Sequence, residues 1–204
     1  MTTLHVKELI FQGRGPYSFD INGGQCCGLT GPSGSGKSLL LRALADLDPH
    51  TGKIMLDDID NLGISAPLWR KRVGMLPAEC LWWFDRVEDH FSREVEINYE
   101  WFGQLGFDHD VMNWQVHHLS TGEKQRLGIL RLLHNRPAAL LLDEPTASLD
   151  SANIGRVETL LVSYCKENAS PALLVSHDKE QLSRVAGFLM IMAKDGQMTV
   201  QEGE

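Results

Sequence analysis

The sequence predicts an α/β protein with a mostly parallel β-sheet, and three observations lead to this prediction. Segments with strand and helix patterns alternate along the chain, which is the order expected for a parallel sheet covered by helices. A glycine-rich turn follows the apolar run of residues 26–29. The continuous apolar run of residues 138–142 ends in two acidic residues and has the length of a central strand buried on both faces.

The first third of the chain contains strand patterns on both sides of the glycine-rich turn. Residues 4–11 and 17–21 alternate in polarity and are separated by glycine and proline, so we predict a β layer before the turn. After the turn, the sequence predicts a helix over residues 37–46 and strands over residues 52–58 and 73–76.

The segment of residues 80–118 differs in character from the rest of the chain. Nine aromatic side chains occur there among acidic residues, without a strand pattern. Aromatic side chains most often pack a core, and we predict a helical insertion. The aromatic residues are Trp82, Trp83, Phe84, Phe91, Tyr99, Trp101, Phe102, Phe107 and Trp114.

The remaining chain returns to alternating elements. We predict helices over residues 120–134, 151–166 and 178–185, and strands over residues 172–175, 188–192 and 198–201. Together with the earlier elements, this alternation predicts an α/β fold with a mostly parallel sheet.

Composition limits the classes of partner. The 204 residues suffice for one sizeable core, so we predict a single domain over residues 1–204. The formal net charge of −8 disfavours a phosphate-tracking surface, and no nucleic-acid partner is expected.

No apolar run has the length of a membrane span, and the charged N-terminus does not fit a signal peptide. We therefore expect a cytoplasmic protein with reduced, buried cysteines and no zinc site.

The glycine-rich turn GPSGSGKS, residues 31–38, fits the pattern G-x4-G-K-[ST]. An ordinary glycine-rich turn is the alternative, but the strand before it and the helix after it favour a phosphate cradle, in which backbone N–H groups face a polyphosphate. Lys37 is then expected to reach the β- and γ-phosphates, and the Ser38 hydroxyl to bind Mg²⁺. The predicted nucleotide-binding residues are Gly31, Pro32, Ser33, Gly34, Ser35, Gly36, Lys37, Ser38 and Leu39.

Two adjacent acids, Asp143 and Glu144, end the buried apolar run. A carboxylate at the end of a buried strand is suited to holding Mg²⁺, which is the role predicted for Asp143. Glu144 is predicted to act as the general base that polarises the attacking water. The alternative is a polar strand end without a catalytic role.

Four motifs together resemble the ATP-binding cassette of ABC transporters: GPSGSGKS, LSTGEKQR at 119–126, LLLDEPTASLD at 140–150 and VSHD at 175–178. This resemblance covers nearly the whole chain. It implies a P-loop NTPase with a RecA-like core, an antiparallel β subdomain and a small α-helical subdomain at about residues 80–135. ATP and Mg²⁺ are the implied ligands.

Further roles follow from the resemblance. The signature motif, residues Ser120, Thr121, Gly122 and Glu123, is expected to contact ATP held by a second cassette in a homodimer. Ser148, Leu149 and Asp150 match the D-loop at the dimer seam. His177 matches the switch histidine that senses the γ-phosphate, and joins Lys37 and Glu144 as a catalytic residue.

Three departures from the family pattern stand out. Thr121 and Glu123 replace the usual glycine and glutamine of the signature motif, which is expected to weaken binding in trans. Ala78 stands where the family has a glutamine that contacts Mg²⁺ and water, and we hypothesise that Glu79 takes over part of that role. The third departure is at the end of the first strand, where the family has an aromatic residue that stacks on adenine and only Phe11 is a candidate here.

The resemblance implies an ATP-hydrolysing subunit that dimerises on ATP and drives a separate transmembrane permease, on the inner face of the cell membrane. It also places Trp82, Trp83 and Phe84 where the permease docks, as an alternative to core packing. Within the family, the chain is most similar to short cassettes of two-component exporters. The alternatives are a non-transport ABC ATPase and a nucleotide-sensing module with weak hydrolysis.

Overall fold

The computed structural model of the protein describes residues 2–202 and contains two β-sheets. One sheet has six strands in the order β10-β9-β3-β8-β7-β6, and the other has four in the order β2-β1-β4-β5. The strands are β1 Thr3–Phe11, β2 Arg14–Asn22, β3 Cys26–Thr30, β4 Thr51–Leu56, β5 Ile59–Asp60, β6 Val73–Leu76, β7 Ala139–Asp143, β8 Ala172–Val175, β9 Phe188–Met192 and β10 Met198–Glu202. The helices are α1 Lys37–Leu44, α2 Ala66–Arg72, α3 Tyr99–Gln104, α4 Thr121–His134, α5 Ser151–Glu167 and α6 Lys179–Val185.

The six-stranded sheet is parallel except for its edge strand β10, which pairs antiparallel with β9. Strands β7 and β8 are buried over their whole length, as expected for parallel strands covered on both faces. The α/β prediction and the predicted parallel core are therefore confirmed. Because β3, β8 and β7 are adjacent and parallel, the loops that follow them emerge at one edge of the sheet.

The four-stranded sheet is antiparallel and is formed by the N-terminal hairpin and the two strands after α1. The hairpin turn consists of Gln12 and Gly13, both with positive φ angles of 47° and 74°, which is the conformation of a two-residue hairpin turn. This sheet is the predicted antiparallel β subdomain.

The buried apolar side chains form two clusters. One lies between the two sheets and includes α1 and Trp69. The other joins α4 and α5 to the aromatic residues of the middle segment. The longest described helix, α5, has 17 residues, and no helix within residues 2–202 combines the length and the hydropathy that crossing a bilayer requires.

The middle segment contains less α-helix than the sequence predicts. Within residues 80–118 the structure has one α-helix, α3, and short 3₁₀ turns at Glu88–His90, His109–Asn113 and Val116–His118. The predicted helical insertion is therefore only partly α-helical, because aromatic content does not specify backbone conformation. Phe102 of α3 and Val111 of the second 3₁₀ turn belong to the same buried cluster as residues of α4 and α5.

Helix α2 was not predicted from the sequence, and one buried side chain fixes it. Trp69 is fully buried and its Nε1–H donates to the Leu44 carbonyl at 2.9 Å, at the end of α1. The neighbouring Leu68 is 55% exposed. Trp69 thus anchors α2 to α1 and to the core between the sheets.

We expect Trp69→Ala to destabilise the protein by about 3 to 5 kcal/mol, because it leaves a cavity and an unpaired carbonyl. Leu68→Ala is the matched control and should change stability by less than about 0.5 kcal/mol. Urea unfolding followed by fluorescence measures both. Equal effects of the two substitutions would contradict the anchoring role of Trp69.

Candidate functional site

A cleft of about 320 Å³ lies at the edge of the six-stranded sheet where β3, β7 and β8 end. Loops after all three strands contribute to it. The lining residues are Ser33, Gly34, Gly36, Lys37, Ser38, Leu39, Ala78, Asp143, Glu144, Val175 and His177. The structure therefore brings together most of the predicted cradle, both predicted metal ligands and all three predicted catalytic residues.

The cradle follows β3 and turns sharply into α1. Gly31 has a φ of 149°, and a Cβ there would collide with the backbone carbonyl oxygen of Met192. Only glycine fits this position. Within the loop, the Ser35 N–H donates to the Pro32 carbonyl at 3.2 Å. The chain thus turns tightly enough to direct the start of α1 into the cleft.

Lys37 is the first residue of α1 and its side chain is only 6% exposed. Its Nζ donates to the carbonyl oxygens of Gly31 at 2.8 Å and Pro32 at 3.2 Å. Burial lowers the pKa of Lys37, while the nearby carboxylates of Glu144 and Asp143 act in the opposite direction. The cation is therefore fixed by the cradle and lies close to two acids.

Asp143 and Ser38 have the oxygen groups that Mg²⁺ prefers. Asp143 ends β7 with 5% exposure, Ser38 is the second residue of α1, and both side chains belong to the same cleft. Among the described residues, no cation forms an ion pair with Asp143. A buried carboxylate without such a partner, in the same cleft as a hydroxyl, fits a divalent cation.

Glu144 is held in an unusual backbone conformation. Its φ is 48° and its N–H donates to the Val175 carbonyl at 3.0 Å. The carboxylate Oε1 is buried without a hydrogen-bond partner within residues 2–202 and lies 3.5 Å from His177 Nε2. Burial raises the pKa of Glu144, and His177 partly offsets this increase. A carboxylate with a raised pKa in a cleft is suited to accepting a proton.

The predicted signature motif lies outside this cleft. Ser120 caps α4 in a reciprocal arrangement: its N–H and Oγ–H donate to Glu123 Oε2 at 2.8 and 2.7 Å, and the Glu123 N–H donates to Ser120 Oγ at 3.3 Å. These hydrogen bonds lower the pKa of Glu123. The charged Glu123 carboxylate therefore gives the start of α4 a negative charge. The exposed Thr121 follows the cap.

The predicted D-loop packs against this motif within the same chain. A Cβ at Gly122 would lie 3.3 Å from the Ser148 carbonyl oxygen and 3.4 Å from the Leu149 side chain. Asp150 caps α5 by accepting from the Asn153 N–H at 2.9 Å. The start of α4 and the start of α5 therefore form one surface.

Two departures from the family pattern have clear positions. Ala78 lines both the cleft and a neighbouring cavity of about 710 Å³, whereas Glu79 lines that cavity, together with Thr121 and Lys124, and not the cleft. The hypothesis that Glu79 serves the metal is thus not matched by its position.

Phe11 does not offer a surface for a base. It is 2% exposed and packs against Tyr17, also buried, with ring centroids 5.6 Å apart. Its strand continues directly into the two-residue hairpin turn, which keeps the ring in the core. Phe11 is therefore a core residue, and the stacking prediction was wrong.

A second surface surrounds residues 81–84, which we call the aromatic segment. Leu81, Trp83 and Phe84 are 67%, 64% and 50% exposed. Beside them, a groove of about 540 Å³ is lined by residues of α2 and α4, including Arg70 and Lys71. Exposed apolar side chains next to a groove are typical of an interaction surface.

The aromatic segment is organised by His90, a residue that the sequence analysis missed. Its Nε2 lies 3.0 Å from the backbone N–H groups of both Trp83 and Phe84, and its Nδ1 lies 2.9 Å from the Arg86 carbonyl oxygen. Only the neutral ring with the proton on Nδ1 satisfies all three contacts. Arg131 adds a guanidinium over the Trp83 ring, 4.9 Å from its centroid.

We expect acidification to loosen the aromatic segment. Burial is the main cause that lowers the pKa of His90, and Arg131 also disfavours the charged ring whereas Asp89 favours it. The stabilisation by the neutral ring is therefore complete above the ordinary pKa of about 6.5 and is lost as the pH falls towards the folded-state pKa. Protection of the Trp83 and Phe84 amides against hydrogen exchange, corrected for intrinsic rates, measures this loss.

The matched variants are His90→Phe and His118→Phe. His118 is exposed, so its substitution should leave the pH dependence unchanged, whereas His90→Phe should remove it. The interpretation fails if the His90→Phe protein retains the pH dependence of the wild type.

Comparisons with known proteins point to one family. The family model described as ABC transporter matches residues 15–147. The chain is 33% identical over 202 residues to the phosphonates import ATP-binding protein PhnC of Alcaligenes faecalis, covering 84% of this chain and 72% of that protein. It is 32% identical over 184 residues to Protein STAR1 of Oryza sativa subsp. japonica, covering 85% of this chain but only 53% of that protein.

A solved structure, described as a bacterial Atm1-family ABC exporter with ATP bound, has a similar fold. The TM-score is 0.83 at 20% sequence identity, and the match covers 99% of this chain and 39% of that chain. At this identity the likeness concerns the fold alone.

Proposed function

The chain belongs to the ABC transporter family as an ATP-binding subunit, and on that premise we propose that it hydrolyses Mg-ATP and drives transport through a separate transmembrane permease. One observation carries the enzymatic part of the proposal: Lys37, Asp143, Glu144 and His177 line a single cleft beside a phosphate cradle. A binding module without chemistry would not need Glu144, whose Oε1 is buried without a hydrogen-bond partner within residues 2–202.

The proposed reaction uses the groups of the cleft in order. The start of α1 and the Lys37 ammonium bind the β- and γ-phosphates. Ser38 and Asp143 would hold Mg²⁺, which neutralises charge on the phosphates. Glu144 would orient a water molecule and take its proton as the oxygen attacks the γ-phosphorus, while the bond from that phosphorus to the β–γ bridging oxygen breaks and ADP leaves. His177, 3.5 Å from Glu144, would contact the same phosphoryl group.

The proposal includes a second copy of the chain. The cleft has no lining residue from Ser120 to Glu123, yet a hydroxyl and N–H groups at the start of α4 are suited to binding an anion. In a head-to-tail homodimer, these groups would reach ATP held by the partner. The D-loop packs against Gly122 and would lie at the same seam.

The permease is proposed to dock on the aromatic segment and the adjacent groove. Trp83 and Phe84 are large, exposed and held in place by His90, as expected for the centre of an interface. Arg70 and Lys71 at the groove favour a partner segment with acidic groups. This contact would place the protein at the inner face of the membrane.

A nucleotide-sensing module with weak hydrolysis is the second candidate. It is favoured by Ala78, which gives the cleft a methyl group where the family has a polar side chain. Phosphate release distinguishes the two candidates because only the enzyme turns over ATP.

Hydrolysis is tested with Glu144→Gln. We expect the wild type to release phosphate from Mg-ATP, and the variant to bind ATP but to hydrolyse it at least about 100-fold more slowly, since the amide cannot accept the proton. Glu167→Gln, at an exposed acid at the end of α5, is the control and should have wild-type activity. A wild type that binds ATP without releasing phosphate would favour the sensing module, and full activity in Glu144→Gln would exclude Glu144 as the base.

Charge at the start of α4 generates a separate prediction. Glu123→Gln retains an oxygen that accepts from Ser120 but removes a negative charge facing the proposed triphosphate. We expect the ATP-dependent dimer to tighten by about three- to tenfold. Sedimentation in the Glu144→Gln background measures this change. Glu100→Gln, which removes a first-turn acid from α3, is the control, and equal dimer affinity in both proteins would contradict the prediction.

A further inference from the structure

One basic side chain outside the cleft touches the phosphate cradle from behind. Arg14 begins β2, opposite Phe11 in the hairpin. Its Nη1 donates to the Ser35 carbonyl at 2.7 Å and its Nη2 to the Gly34 carbonyl at 3.2 Å. Arg14 is not among the residues that line the cleft, so its guanidinium binds the outer side of the loop.

The sequence of the loop accommodates this contact. A Cβ at Gly36 would lie 3.0 Å from both Cδ and Nε of Arg14, and the φ of Gly36 is 108°. Gly36 thus permits two things: the positive φ of the turn and the close approach of the Arg14 side chain. On the far side, the Gly196 carbonyl accepts from the Tyr17 hydroxyl at 2.7 Å, which ties the same hairpin to the turn between β9 and β10.

We propose that Arg14 is a positioning residue of the phosphate cradle. The Ser35 carbonyl belongs to the same peptide unit as the Gly36 N–H, and the Gly34 carbonyl to that of the Ser35 N–H, which closes the loop on the Pro32 carbonyl. Holding these carbonyls on the outer side orients the peptide planes of the loop. A cation at a carbonyl also polarises its peptide group and makes the N–H a stronger donor. Arg14 therefore strengthens phosphate binding without touching the phosphate.

A purely structural role is less consistent with the surroundings. The hairpin is held by backbone pairing along β1 and β2 and by the buried Phe11 and Tyr17, none of which needs the guanidinium. Arg14→Met keeps the apolar stem and loses the fork of donors. Arg14→Lys keeps the charge as a point donor that cannot span both carbonyls.

The inference rests on the proposed nucleotide site and predicts a defect in phosphate affinity. The ligands are ADP and inorganic pyrophosphate, neither of which carries the phosphoryl group that is transferred. We expect Arg14→Met to weaken both by about tenfold in calorimetric titrations at fixed salt, and Arg14→Lys to recover part of the loss. The thermal unfolding midpoint should remain that of the wild type. Arg72→Met, at an exposed arginine of α2, is the control and should bind both ligands normally.

The binding results distinguish a failure of the proposed function from a failure of the role of Arg14. Wild-type protein that binds neither ligand would overturn the proposed function itself. Normal affinity of Arg14→Met for both ligands would overturn only the role of Arg14, and a loss confined to ADP would replace it with a contact to the nucleoside. Arg14→Met could also lower the unfolding midpoint so far that part of the protein is unfolded during the titration. If that unfolded fraction explained the whole loss of binding, Arg14 would be a structural residue.

Discussion

The register of three parallel strands is the constraint on which the cleft depends. Val175 of β8 pairs with Leu29 of β3 on one side and with Asp143 of β7 on the other. The Val175 carbonyl then accepts from the Glu144 N–H. The pairing of these three residues fixes the positions along the sheet at which the cradle, the acidic pair and His177 follow their strands. A slip of one residue in any strand would turn its side chains to the other face and separate the cation from its acids.

The parts of the site that could be predicted from the sequence consist of contiguous residues. The cradle, the acidic pair and the buried strands each carry a local pattern, and the structure places these residues in one cleft. Arg14 and His90 carry none, because their roles depend on folded contacts with Ser35 and with the Trp83 amide. Residues 80–118 contain only one α-helix, because buried aromatic side chains do not require a regular helix.

Helix α4 connects the surfaces that the proposed function uses. It begins at the Ser120–Glu123 cap, and Arg126 donates to Asn153 Oδ1 of α5 at 2.6 Å. Towards its end, Arg131 donates to the Leu81 carbonyl at 3.0 Å, at the start of the aromatic segment. A single helix thus contacts the D-loop region at one end and the proposed permease surface at the other. If two chains pair as proposed, a shift at their seam would be transmitted to the proposed permease surface through this helix.

The central claim is that the cleft supplies the cradle, metal ligands and base, while a second chain supplies the remaining anion contact. The most direct test measures phosphate release per chain over a thousandfold range of chain concentration, with the oligomeric state determined by sedimentation in the same samples. Turnover per chain should follow the fraction of dimer and approach zero in dilute samples that contain only monomer. Undiminished turnover by the monomer would contradict the claim.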